Sequence, residues 1–401
     1  MATILLGPNF SGRSEWLAER RRQRPWPRAA YLGPFPGLAC TGLASTVAEE
    51  LKVAGSGKDN AETITDRLAQ QLDIEKLLDR EISALSGGEA VRVALASVSA
   101  QDVRELHIDT SLEQLDEQWR RTVFALLTAP GGQIADLFLI DNHLSPAESG
   151  SFNEQFHFPL AKEQSAWSTE TIDPAGAAEY VHTANIAAIS VKNVSFSYGR
   201  STPKIFERTS LSLKPGQAYI LNGPNGSGKT TLVKLLSGTL LPRRGTIRYG
   251  SKKFRPAKSR NRFAGLAFQN PDYQWTSQTV AGELQKTGDR THQTSDLTGL
   301  LPKFGIPETL LGTNPNELPF VLKKRLGVAL ALLAGKPWLI LDEPTLGQDR
   351  QYRDKLAECI RLILAAGAGV ILISHDSYFR SLFPNAISLL FENRTIVPTT
   401  K

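Results

Sequence analysis

The 401-residue sequence has only two cysteines, Cys40 and Cys359, and six histidines, and neither set shows metal-ligand spacing. So few thiols exclude a disulfide framework and a cysteine-based zinc module, and they read as a cytosolic, disulfide-free chain. No stretch approaches 18 uninterrupted apolar residues, which excludes a bilayer-spanning helix. The opening "MATILLGPNF" lacks both the basic head and the long apolar run of a secretory leader. Neither sign of charge dominates: the net charge of +6 is too small to choose among nucleic acid, an anionic membrane face and a phosphorylated ligand. What remains is ordinary globular composition, 41% hydrophobic and 21% charged, long enough for two or three domains.

The strongest local signal is "AYILNGPNGSGKTTLVKLLSG", residues 218–238. An apolar run enters a glycine-rich turn and leaves as an amphipathic pattern with Leu232, Val233, Leu235 and Leu236 on one side. This strand–turn–helix setting is what a phosphate-binding loop requires. Successive backbone N–H groups from Gly226 to Lys229 form a nest for phosphate at a helix N-terminus. Lys229 is placed to reach terminal phosphate oxygens, and the Thr230 hydroxyl to ligate magnesium. Downstream, "PWLILDEPTLGQD" (337–349) delivers Asp342 and Glu343 to the end of a buried strand, where α/β sheets place ligands. "AGVILISHD" (368–376) is a second such strand ending at His375.

The chain also repeats itself. "TVAEEL" at 46–51 returns as "TVAGEL" at 279–284, an offset of 233. At that offset 105–116 falls on 338–349, 135–143 on 368–376, and "ALSGGEAVRVALA" (84–96) on "ELPFVLKKRLGVA" (317–329). "GPNFSGRSEW" (7–16) matches the phosphate loop at an offset of 216, so 17 residues are missing between it and residue 46. Two copies of one α/β unit follow, over 1–165 and 186–401, with a Ser/Thr/Ala-rich linker at 163–185.

Together "GPNGSGKTT", "AFQNPDYQ", "LSGGE", "LILDEPT" and "LISHD" resemble the motif set of ATP-binding cassettes, the ATPase units of ABC transporters. The resemblance covers nearly the whole chain outside the linker, and "AFQNPDYQWTSQTVAGEL" is most similar to importer ATPases of the energy-coupling-factor kind. It implies two P-loop ABC-type nucleotide-binding domains in tandem, each a mixed sheet core plus a helical signature subdomain. It implies ATP and Mg2+ as ligands, and head-to-tail pairing, within one chain or between two chains, in which each ATP lies between one cassette's phosphate loop and the other's signature.

By this resemblance Tyr198 stacks on adenine, and Gly223, Asn225, Gly226, Ser227, Gly228, Lys229, Thr230 and Thr231 hold phosphates. Thr230, Gln269 and Asp342 face magnesium, Gln269 also contacts the attacking water, Glu343 is the general base and His375 senses the γ-phosphate. The second cassette departs from the family at its signature, "LPFVL" (318–322). The first cassette has the opposite pattern. Arg13 replaces the lysine, Pro36 falls at the glutamine position, Thr110 replaces the glutamate and Asn142 the histidine. Only six residues precede Gly7, so the adenine-stacking strand has no counterpart. Yet Ser86, Gly87 and Gly88 form an intact signature, and "LEQLD" ending at Asp116 fits a cross-dimer loop. A plain serine–glycine helix cap is the alternative for LSGGE. Against it, Ser86 precedes Asp109 by the same 23 residues that separate Pro319 from Asp342. Head to tail, the losses sort into one complete composite site and one damaged on both sides.

The expected function is ATP hydrolysis powering solute transport at the inner face of the cell membrane, with integral membrane subunits and, in some such systems, a separate substrate-binding subunit. Rival readings are a soluble ABC protein acting on ribosomes or nucleic acid, and a non-hydrolysing scaffold. The linker is short and not strongly basic, which argues against nucleic acid, and Glu343 with His375 argues against the scaffold. The basic stretch 19–28 reads as a solvated loop, with an anionic-lipid or nucleic-acid patch as the alternative, and 252–262 is a comparable basic stretch in the second copy. Tyr273 and Trp275 follow Gln269 in the region that, in the family, receives a coupling helix from the membrane subunit; core packing is the alternative.

Overall fold

Continuous apolar runs such as Trp338–Asp342 and Gly369–Ile373 are buried along their whole length, as parallel strands covered on both faces require. The computed structural model describes residues 1–6, 9, 11–23, 29–57, 61–101, 103–129, 134–144, 148, 152–157, 172–178, 186–199, 202–224, 226–253, 263–291, 299–392 and 394–399. They fall into two units, Met1–Ser165 and Ala166–Lys401.

The first unit runs β1 (Ala2–Leu6), the helix Arg13–Gln23, β2 (Ala29–Leu32), helices Val47–Ala54, Ala61–Gln71 and Gly87–Ala100, β3 (Glu105–Asp109), the helix Glu117–Thr128, β4 (Asp136–Ile140) and β5 (Glu154–His157). Its sheet has the order β2-β3-β4-β1-β5. The second unit contributes β6 (Ile189–Phe196), β7 (Phe206–Leu213), β8 (Ala218–Asn222), β9 (Arg244–Tyr249), β10 (Lys252–Lys253), β11 (Ala264–Ala267), β12 (Trp338–Asp342), β13 (Gly369–Ile373), β14 (Ile387–Glu392) and β15 (Thr395–Thr399). Its main sheet, β11-β12-β13-β8-β14-β15, repeats the first unit's order and adds β15 at the edge. A second, antiparallel sheet has the order β10-β9-β6-β7.

The equivalences hold in space. The helix Gly87–Ala100 matches Phe320–Leu333, β3 matches β12 and β4 matches β13, all at the offset of 233. Asp116 and Asp349 each cap the helix that follows, accepting from Trp119 N and Tyr352 N. The mixed sheet expected of both copies is found in the second unit, where β14 and β15 run antiparallel; the described strands of the first unit all run parallel. The missing 17 residues bear on the second, antiparallel sheet instead: residues 24–28 alone separate the helix Arg13–Gln23 from β2, where the second unit fits β9 and β10.

Each unit has its own apolar core, the first around Ile4, Leu51, Leu95 and Ile108, the second around Tyr219, Leu235, Trp338 and Ile371. The first core carries an unexpected polar cluster. Glu105 and His107 occupy the places of Trp338 and Ile340; Glu105 accepts from Arg20 Nε at 2.9 Å and lies 2.7 Å from His107 Nε2. The described part of the 19–28 stretch is therefore not a solvated loop. It is the end of a helix, with the Arg20 guanidinium 4.0 Å from the Phe138 ring centre and that of Arg21 4.9 Å from Tyr31's. Residues 24–28, 254–262, His182 and His292 lie outside the described residues.

Candidate active site

In the second unit β8 leads into the phosphate loop, and the helix Lys229–Leu236 begins at the loop's lysine. Gly228 has φ 107, and a Cβ there would lie 2.6 Å from Ile205 Cγ2, so both conformation and space demand glycine. Gly226 also has positive φ, and Ser227 N donates to Pro224 O. Asn225 lies outside the described residues. Buried Lys229 folds back over the loop, donating to Gly223 O at 2.7 Å and Pro224 O at 3.1 Å. An incoming phosphate has to compete for that ammonium. Thr230 is exposed, while Thr231 is buried and lies 3.1 Å from the Tyr198 hydroxyl. Tyr198 is 56% exposed and edge-on to Phe196, an open aromatic face beside the loop.

Asp342 ends β12, and Glu343 follows at φ 47. That left-handed conformation costs a non-glycine residue about 1–3 kcal/mol. It is held because Glu343 N donates to Ile373 O at 2.9 Å, extending the β12–β13 ladder by one step. The Glu343 carboxylate, 3% exposed, accepts from His375 N at 3.0 and 3.2 Å, and His375 Nε2 stands 3.8 Å away. Burial, and then the charge of Asp342, push Glu343 up to about 8. Burial raises Asp342 to about 6, with Lys324, Lys229 and Lys234 opposing. Burial, with Lys229 and Arg380, lowers His375 to about 3, so its imidazole is neutral. Gln269 is half-buried just past β11, and its carbonyl accepts from Lys324 Nζ at 3.1 Å.

Thr230, Gln269 and Asp342 offer a hydroxyl, an amide oxygen and a carboxylate, the hard oxygen donors a magnesium ion prefers. Two adjacent buried carboxylates, both raised by burial, favour an incoming cation. Among the described residues no group of three or more His, Cys, Asp and Glu side chains could hold a metal alone. The donor set therefore fits a cation that arrives with phosphate and water completing its shell.

The first unit departs at the same points. Gly7 and Phe10 lie outside the described residues. Buried Arg13 donates from Nη2 to Asn142 Oδ1 at 3.0 Å, joining the residues that match Lys229 and His375. Thr110 keeps the left-handed backbone, φ 60, and its N–H donates to Ile140 O, as Glu343's does to Ile373 O. Sequence comparison puts Pro36 opposite Gln269, but the strand register corrects this to Pro34. Ala29 pairs with Glu105 as Ala264 pairs with Trp338, so β2 is offset by 235 rather than 233. Either way the position holds proline.

Sequence reasoning also misses Glu113. Its buried carboxylate accepts from Asn142 N at 2.8 Å and lies 3.4 Å from His143 Nε2. It thus takes the backbone partner that Glu343 takes in the second unit, from three residues further along. Only a carboxylate one short turn past the expected position hinted at it.

Ser86 caps the helix Gly87–Ala100, and its N–H and hydroxyl both donate to Glu89 at 2.8 Å. The first N–H groups of a helix lack intrahelical partners, and Gly87 and Gly88 carry no side chains to cover them, which suits an anion. The matching helix Phe320–Leu333 starts at Pro319 without a side-chain cap, and Phe320 and Val321 lie over Gly347. Tyr273 is 78% exposed, so it is not a core residue, while Trp275 Nε1 donates to Asp272 at 3.3 Å.

A family model described as ABC transporter matches residues 206–346. That matched segment, within the second unit, is an ABC transporter ATPase domain. A Bacillus subtilis relative, YkoD, named as an HMP/thiamine import ATP-binding protein, is 29% identical over 377 residues, 80% of this chain and 67% of its own length. A Treponema denticola relative named as an ABC transporter ATP-binding protein is 27% identical, covering 88% of this chain and 75% of the relative. Among solved structures, the ribosome-bound archaeal Pelota and ABCE1 assembly matches all of this chain and 75% of that one, with a TM-score of 0.69 at 18% identity. The RNase-L inhibitor matches all of this chain and 86% of its own, with a TM-score of 0.62 at 20% identity. These last two share the tandem-cassette fold. The ABC ATPase binds ATP and hydrolyses it to ADP and phosphate.

Proposed function

We propose that this ABC ATPase powers solute transport through separate membrane subunits, and that it hydrolyses ATP at one composite site. The observation that carries the composite site is the complementary pattern of losses. The second cassette keeps Lys229, Thr230, Gln269, Asp342, Glu343 and His375 but starts its signature helix with Pro319, Phe320 and Val321. The first keeps Ser86, Gly87 and Gly88 but carries Arg13, Thr110 and Asn142. In the paired state, Lys229 and the loop N–H groups hold the phosphates, Ser86 and Gly88 bond the γ-phosphate, and Tyr198 supports the adenine. Glu343 takes a proton from the attacking water, and His375 contacts the γ-phosphate. Magnesium, bound by Thr230, Gln269 and Asp342, would offset the charge that develops on the transferring phosphoryl group.

Transport is supported by the relatives' names and by the exposed Tyr273 beside the glutamine loop, which suits docking of a membrane subunit. Among the described residues no helix is long and apolar enough to cross a membrane, so this reading puts translocation on other chains and the ATPase on the inner membrane face. Full-length tagged protein purified from detergent-solubilised membranes should bring down an integral membrane subunit. Cosedimentation with ribosomes in its place would overturn transport and favour the activity suggested by the ABCE1 assembly.

The expected nucleotide stoichiometry rests on the difference in what phosphate must displace: the Arg13 bond to the Asn142 side chain in the first cassette, and the Lys229 bonds to the loop carbonyls in the second. Equilibrium binding of ATP to the Glu343→Gln protein should saturate at one nucleotide per chain, and Lys229→Ala should abolish it. Saturation at two would show that the Arg13–Asn142 bond opens.

A further inference from the structure

Lys324 has no part in the chemistry described so far. It lies on the helix Phe320–Leu333, whose fourteen residues are otherwise mostly apolar, and it is 2% exposed. Its ammonium donates to Phe268 O at 3.0 Å, Gln269 O at 3.1 Å and Asp342 O at 3.1 Å. That uses all three of its donors. Two of the three acceptors belong to residues whose side chains are proposed to face the cation.

Burying an ammonium is costly, and an apolar side chain of similar volume often serves stability as well or better. The first cassette makes that substitution: the equivalent residue is Val91, fully buried, in the copy whose glutamine is lost. The lysine accompanies the glutamine, while the aspartate is present in both copies, as Asp109 and Asp342. Its neighbours do other work: Lys323 pairs with Asp272 at 2.8 Å, and Arg325 bonds Gln348 at 3.1 Å and Gly305 O at 2.8 Å. Lys324 ties the glutamine loop to the end of β12.

From this geometry we infer that Lys324 is a positioning residue, a three-pronged clamp that fixes the main chain of Gln269 against that of Asp342 and so sets the spacing of the two cation-facing side chains. It touches neither nucleotide nor cation. Because it is carried by the signature-bearing helix, any displacement of that helix is passed directly to both residues. The inference rests on the proposal that Gln269 and Asp342 hold magnesium.

The test uses the full chain with Lys324→Met, which keeps the volume and removes the donors, and Lys324→Gln, which keeps a neutral donor. For Lys324→Met, kcat should fall roughly 10–100-fold, about 1.4 kcal/mol of barrier per tenfold. The KM for ATP should change less than about threefold, and the Mg2+ concentration giving half-maximal rate should rise about tenfold, as expected when spacing rather than nucleotide contact is lost. ATP affinity measured in EDTA should match wild type, while the gain in affinity on adding Mg2+ should shrink. Lys324→Gln should recover part of both Mg2+ effects. Unchanged Mg2+ half-saturation and unchanged Mg2+-linked affinity in Lys324→Met would overturn the inference. If that variant does not fold, the same result in Lys324→Gln overturns it. Wild-type protein that shows no Mg2+-dependent turnover would instead sink the hydrolysis reading itself.

Discussion

Glu343→Gln is expected to lower ATP turnover by roughly 10²–10⁴-fold, the scale of a lost general base, while ATP still binds. The amide keeps the shape of the side chain and can keep the contact with His375 N, so the loop geometry survives. What goes is the ability to take a proton from water. The surroundings make that ability dependent on pH. Without nucleotide, burial and the Asp342 charge hold Glu343 near 8, so the carboxyl is mostly protonated at neutral pH. A magnesium ion held by Asp342 would shift it back down, since a nearby positive charge favours the carboxylate. The base works only when deprotonated. Wild-type rate should therefore fall as pH drops through the pKa of the loaded site, while the glutamine variant stays flat. The ratio of the two should shrink at low pH, because a protonated glutamate is as inert as glutamine. Phosphate release at saturating ATP from pH 6 to 9 measures it. A variant rate close to wild type at pH 8 would remove Glu343 from the mechanism.

The repeat offset of 233 anticipates the equivalence of β3 with β12 and β4 with β13, because both copies keep the same number of residues from the signature helix onward. It also explains why Thr110 retains a left-handed backbone it has no catalytic use for. The ladder bond to Ile140 O is a property of the inherited strand pair. The register of β2 was not legible, since prolines and glycines in "YLGPFPGLA" carry no periodicity to fix it and two extra residues before Thr46 hide the shift. Contacts through space were hidden for a different reason. Glu113 reaches Asn142, Lys324 reaches Gln269 and Asp342, and Arg20 reaches Glu105 from positions with no motif of their own. Spacing along the chain reports elements; it does not report which buried polar side chain satisfies which backbone group.

Ser86→Arg should abolish turnover while leaving ATP binding at Lys229 largely intact, although Ser86 and Lys229 belong to different units. In the structure the Ser86 hydroxyl and N–H both donate to Glu89, which holds the serine at the start of its helix, where the first N–H groups lack intrahelical partners. To bond a γ-phosphate the hydroxyl has only to rotate off Glu89, because the backbone is already set. An arginine there loses the hydroxyl and puts a long cation where phosphate and small residues must meet. The γ-phosphate is what separates ATP from ADP, so a contact to it also ties cassette pairing to nucleotide state. Val321→Arg is the mirrored change in a signature that has already lost its serine and glycines, and it should lower turnover far less. The two variants therefore form an internal control: same substitution, equivalent helix ends, opposite expected outcomes. Turnover and ATP affinity of both, measured on the full chain, decide it. A damaging Val321→Arg beside a silent Ser86→Arg would mean that the two cassettes hydrolyse ATP without facing each other.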